Sequence, residues 1–122
     1  MKTMLFSQAV DDALAQAMAD DPRIVVFGED VPVLRRNLLI RFGPKRVRGT
    51  PISESAFLGA GVAAAMTGLR PVVEIYMVDF LGVCMDALLN HAAKVETFSA
   101  TRVRWWHFSC SILSLQPLKM SP

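Results

Sequence analysis

One carboxylate, Glu54, stands at the head of a segment that carries no further charge until Arg70. An acid in that position has two possible tasks. It can sit in the first turn of a helix and complement the helix dipole. Or it can be held away from water for proton exchange, because burial raises a carboxyl pKa while a helix N-terminus lowers it. Tyr76 and Phe80 flank the end of a later apolar run, where they either pack in the core or meet a ligand at a strand end. The basic stretch Arg35, Arg36, Arg41, Lys45, Arg46 and Arg48 reads as a solvated loop face, with a partner subunit or a phosphate as the alternative. His91 reads as a packed core histidine, and no second His or Cys has metal-ligand spacing with it. Gly59 to Ala64, "GAGVAA", superficially resembles a dinucleotide fingerprint, but its glycines lie inside a helix rather than in a turn after a strand. Their expected role is close helix packing.

The elements that must position these residues follow from periodicity. Ser7 is a candidate cap for a helix whose Val10, Ala13, Leu14, Ala17 and Met18 share one face, ended by Asp20-Asp21-Pro22. "RIVVF" is a buried strand, turned by Gly28-Glu29-Asp30. A short helix over Arg36 to Phe42 is stopped by Gly43-Pro44. Ser53 is the expected N-cap of a helix running from Glu54 to about Gly68, which reads as buried on all sides. "VVEIYMVDF" is the second strand. Leu81, Cys84, Met85, Leu88, Ala92 and Val95 form the stripe of a third long helix. In the tail, "FSCSILSL" could be one more strand. Helices alternating with strands predict an open parallel α/β sheet with flanking helices, left incomplete by so few strands.

Composition narrows the function classes. Hydrophobic residues are 52% against 20% charged, an excess that suggests surface meant for a partner chain. A net charge of +2 predicts neither nucleic-acid nor membrane attraction. The N-terminus lacks a signal-peptide pattern, and the uncharged runs are too short to span a bilayer. The two cysteines, Cys84 and Cys110, make neither a disulfide framework nor a zinc site, which fits a reduced, cytoplasmic setting.

Taken together, "FGEDV", "RFGPKRV", "TPISESAFLGAGVAAAMTGLRPVVE" and "VDFLGVCMDALLNHAAKVETFS" resemble the start of the β subunit of thiamine-diphosphate-dependent 2-oxo acid dehydrogenases. The same pattern is related to the pyrimidine-binding domain of transketolases. The resemblance covers about Met4 to Ser99. It implies that Glu54 hydrogen-bonds a ring nitrogen of the cofactor's aminopyrimidine, sharing the proton that activates the thiazolium carbon. It implies that Phe80 stacks on the pyrimidine, that Tyr76 lines its pocket and that Ile52 adds apolar wall. No metal ligand is implied in this chain, since the α subunit holds the diphosphate and its magnesium. The implied partners are that α subunit, a second β subunit in an α2β2 tetramer, and the lipoyl acyltransferase component. The implied reaction is oxidative decarboxylation of a 2-oxo acid with acyl transfer to lipoyl.

The chain departs from that pattern. Arg48-Gly49 stands where an apolar residue and Asp or Asn are common, and Ala100-Thr101 replaces a glycine pair. His107 does not match the family histidine in context. Residues 1–99 are therefore expected to form a partial pyrimidine-binding domain, and residues 100–122 a tail from truncation or a shifted reading frame. This chain alone is expected to be inactive. Two rivals stand beside this reading. One is a non-catalytic module that pairs with an α subunit or with its own copy. The other is a generic α/β nucleotide-binding domain, which would need a glycine turn directly after "RIVVF".

Overall fold

A computed structural model describes residues 5–94 and the strand at 109–112. Helix α1 (Phe6–Asp20) leads into strand β1 (Ile24–Gly28). Two short helices, α2 (Val31–Leu34) and α3 (Arg36–Phe42), precede β2 (Val47–Gly49). Helix α4 (Glu54–Met66) connects to β3 (Arg70–Ile75), and β4 (Ser109–Ile112) adds a fourth strand. The four strands lie in the order β2-β1-β3-β4 and all pairs are parallel. The open parallel sheet expected from the alternating pattern is present, and β4 falls within the segment read as a further strand.

The sheet separates two apolar clusters. Met18 of α1, Val31 of α2 and Leu38 of α3 pack with Val26 and Val47 on one face. Phe57 and Leu58 of α4 pack with Val73, Ile75, Cys84 and Ala87 on the other. Each strand therefore needs apolar residues on both sides, which is why β1 and β3 read as near-continuous runs.

Several local expectations are corrected. Ser7 lies inside α1 rather than capping it; the Gln8 side chain reaches back to accept from the Leu5 N–H at 3.1 Å. Strand β2 and helix α2 were not anticipated, because both are too short to show a period. The second strand ends at Ile75, so Tyr76 lies beyond it. The third long helix is instead a 3-10 segment, Val78–Cys84, followed by a π-helical one, Ala87–Ala92. Gly82 and the β-branched Val78 and Val83 weaken regular α-helix there. The stripe holds in part: Cys84 is buried with Leu81 and Leu88 packed against its cluster, whereas Met85 is exposed and Ala87, outside the stripe, is buried instead. Val95 lies outside the described residues. His91 is exposed, not packed in the core.

The α4 helix is buried on one face only. Phe57, Leu58, Gly61, Val62 and Ala65 face inward, whereas Ala56, Ala60, Ala63 and Met66 face solvent. The expectation of all-round burial fails because one sheet can cover only one side of a helix.

Candidate functional site

The chain winds from β1 to β2 on one side, then returns to place β3 on the other side of β1. The carboxyl ends of β1 and β3 are thus the point where the winding reverses, the usual ligand crevice of an open parallel sheet. Among the described residues, the loops leaving that edge after β1, β2 and β3 each bring polar or aromatic side chains there. Glu29 and Asp30 follow β1, Ile52 and Glu54 follow β2, and Tyr76 and Phe80 follow β3.

Glu54 is the first residue of α4 and is 8% exposed. The helix N-terminus behind it favours a negative charge. No hydrogen bond or ion pair to its carboxylate occurs among the described residues. Ser53 occupies the N-cap as expected, but its hydroxyl donates to the Pro51 carbonyl at 3.3 Å instead of capping. The next residue anchors the turn: the Ser55 hydroxyl donates to the Val83 carbonyl at 2.6 Å, tying α4 to the 3-10 segment that carries Phe80. Ile52, Tyr76 and Phe80 are 76%, 52% and 40% exposed. All four sequence candidates follow carboxyl ends of strands at one edge of the sheet, Glu54 buried and the other three exposed.

A cleft of about 180 Å3 opens at the β1/β3 end, lined by Glu29, Asp30, Leu34 and Tyr76. Asp30 adopts the left-handed conformation, φ 54°, which lets α2 start immediately and fold back over the edge. A wider groove of about 510 Å3 lies elsewhere, between β1, edge strand β2 and α4, with Phe27, Phe57, Lys45 and Arg48 in its walls. It contains none of the four candidates.

The basic stretch is not simply a solvated face. Arg35 is 4% exposed; its Nε donates to Glu74 at 2.8 Å and its Nη1 to Asp11. Arg46 donates to the backbone carbonyls of Ile24, Met18 and Asp21, which staples α1 and β1 to the β2 approach. Arg41 and Arg46 both lie over the Phe42 ring, at 4.9 and 5.1 Å. The available sequence signal was Glu74: a carboxylate within a buried strand requires a cation nearby. Burial pushes the Glu74 carboxyl up from its ordinary value, while the charge and hydrogen bond of Arg35 oppose that rise. Among the described residues no cluster of His, Cys, Asp and Glu could hold a metal ion, and no helix is long and apolar enough to cross a membrane.

Comparison with known proteins gives this edge a context. Residues 2–105 match the family model "Transketolase, pyrimidine binding domain". The chain is 38% identical over 108 residues to the pyruvate dehydrogenase E1 component subunit beta-1, mitochondrial, of Arabidopsis thaliana, covering 84% of this chain and 30% of that protein. It is 41% identical over 103 residues to the pyruvate dehydrogenase E1 component subunit beta of Rickettsia bellii, covering 80% and 32%. It is 35% identical over 111 residues to the acetoin:2,6-dichlorophenolindophenol oxidoreductase subunit beta of Bacillus subtilis, covering 76% and 32%. The chain thus spans about a third of the length of these relatives. With its parallel sheet and its buried acid at the carboxyl edge, the chain belongs to the transketolase pyrimidine-binding domain family and is homologous to the E1 β subunits of 2-oxo acid dehydrogenases.

Proposed function

We propose that this chain supplies the aminopyrimidine-binding half of a thiamine diphosphate site, as part of a 2-oxo acid dehydrogenase. The observation that carries the reading is Glu54, buried at a helix start with no partner among the described residues. Its carboxylate oxygens are not among the buried unpartnered polar atoms, so they remain open to a ligand at that helix start. A carboxyl so placed can share a proton with a ring nitrogen of an aminopyrimidine, so the residues present fit the group. Glu54 would hold a proton at that nitrogen. Phe80 would stack on the ring, Tyr76 would line its pocket and Ile52 would add apolar wall. When bound, thiamine diphosphate supplies a carbon nucleophile and an electron sink for decarboxylation of a 2-oxo acid.

The remaining parts of the reading concern other chains. An α subunit would hold the diphosphate and magnesium, a second β subunit would complete the assembly, and a lipoyl acyltransferase would accept the acyl group. The names of the relatives support a 2-oxo acid or acetoin substrate class. The test is thiamine diphosphate binding, by calorimetry, to this chain co-expressed with the α subunit of a related dehydrogenase. Glu54→Gln is expected to weaken binding about 10- to 150-fold, the loss of one charge-assisted hydrogen bond at about 1.5–3 kcal/mol. Equal affinity of the two proteins would overturn the role of Glu54. A stable complex that binds no cofactor would favour the non-catalytic module instead.

A further inference from the structure

The cleft at the β1/β3 end has two walls that come from distant parts of the chain. Leu34 ends α2 and Tyr76 follows β3. Next to Leu34 and two residues before Tyr76 in sequence, Arg35 and Glu74 are joined by a hydrogen-bonded ion pair, 2.8 Å long and 4% exposed on both sides. We propose that Arg35 and Glu74 are positioning residues that tie the two walls together, and that proton uptake by Glu74 loosens the tie and lets the Tyr76 wall move. Its bearing on a bound aminopyrimidine rests on the function proposed above.

Three features point this way. The tie spans 39 residues of sequence and joins the α2–α3 junction to β3. It is incompletely satisfied, since Arg35 Nη2 and Glu74 Oε2 are both buried without a partner. These are the two atoms that a side-on, two-bond fork would join, so half of the available attraction is unused. Finally, Arg35 has a second anchor. Its Nη1 bonds Asp11 of α1, whose side chain is 31% exposed, so the guanidinium can stay paired when Glu74 becomes neutral.

Among the described residues, two charged groups act on Glu74. Arg35 faces it from the α2–α3 junction, and Asp11 stands behind from α1. Gly28 of β1 and Ser111 of β4 are its register partners and carry no charge. Glu29, Asp30 and Tyr76 lie one step further out, in the cleft itself. Burial favours the neutral carboxyl, Arg35 favours the charged one, and the repulsion from Asp11 adds to burial.

Tyr76 is the single tyrosine of the chain, so its ring signals in a carbon-13 NMR spectrum need no assignment. The experiment follows them in the full chain between pH 4 and 8. Wild type is expected to show a step centred above the ordinary glutamate range. Glu74→Gln should remove the step and hold Tyr76 at its acid-limb position, while Arg35→Lys should keep a step with a moved midpoint. Asp11→Asn, a same-size change at a half-exposed site, should move the midpoint down, and it serves should Glu74→Gln fail to fold. A wild type without a step, a step that survives Glu74→Gln, or a midpoint indifferent to Asp11→Asn would overturn the proposal. Thiamine diphosphate titrated into the same proteins separates the two ideas. No binding even by wild type, in complex with an α subunit, would count against the cofactor reading, whereas the Tyr76 step alone decides the tie.

Discussion

Glu54 and Glu74 are both buried acids, yet their surroundings differ. Glu54 has a helix N-terminus and no side-chain partner among the described residues. Glu74 has Arg35, and the pair holds structure together. Removing one member of such a pair strands the other, so Arg35→Met should cost about 3–5 kcal/mol near neutral pH in urea denaturation, less in acid where Glu74 is neutral. The pH dependence has a definite sign. The folded Glu74 pKa is raised from 4.5, so across the window above 4.5 the folded chain binds more protons than the unfolded one. Stability should therefore fall as pH rises through that window, and Glu74→Gln should flatten the slope. Asp21 acts in the opposite sense. The Arg23 side chain and backbone N–H hold its carboxyl well below its usual value of 3.8, so its contribution is present above that value and is lost as pH falls below it. The two effects occupy different pH ranges and can be read from one denaturation series.

At the scale of elements, β1 and β3 approach so closely at Gly28 that an added Cβ would lie 2.2 Å from the Glu74 carbonyl oxygen. Gly28→Ala must push the strands apart just where the cleft begins, and about 1–3 kcal/mol of stability should be lost. Gly59 offers the contrast. It lies within α4, and an added Cβ there would meet nothing within 4 Å. Gly59→Ala should raise the stability of the isolated chain by about 0.5–1 kcal/mol through helix propensity alone. The same urea midpoints measure both. The 3-10 and π segments after β3 are the least regular part of the described fold, and irregular helix of this kind often accompanies functional sites. Here it carries Phe80 and places it near the start of α4 through the Ser55–Val83 bond.

For the whole molecule, the distribution of exposed apolar groups is the main feature. Tyr76, Met77, Val78, Phe80, Val83 and Leu89 are all open to solvent along one segment, and the outer face of α4 is apolar as well. Exposed apolar side chains gathered on one segment are the kind of surface a partner chain covers. A related α subunit is the partner proposed above. Ala60→Glu, on the open face of α4, should change the stability of the isolated chain by no more than about 0.5 kcal/mol, as for other surface substitutions. It should at the same time abolish co-purification with the α subunit, because an unpaired charge would be buried at the interface. Unchanged co-purification would show that this face is not used.

Periodicity along the chain was enough to determine the helices α1 and α4, the strands β1 and β3, the parallel α/β class and the position of Glu54 at a helix start. These depend on neighbours in sequence, where the 3.6-residue and 2-residue repeats and the turn residues act. The short elements α2 and β2 carry no readable period. The end of β3 at Ile75 and the loss of regular helix over Val78–Cys84 also depend on packing that sequence pattern does not report. Tertiary structure alone decided which side of α4 is covered, that His91 is exposed, and that Arg35 is buried rather than solvated. The physical reason is range. A hydrophobic repeat is satisfied by residues a few positions away, whereas the charge of Arg35 is balanced by Asp11 and Glu74, which only the folded sheet brings beside it.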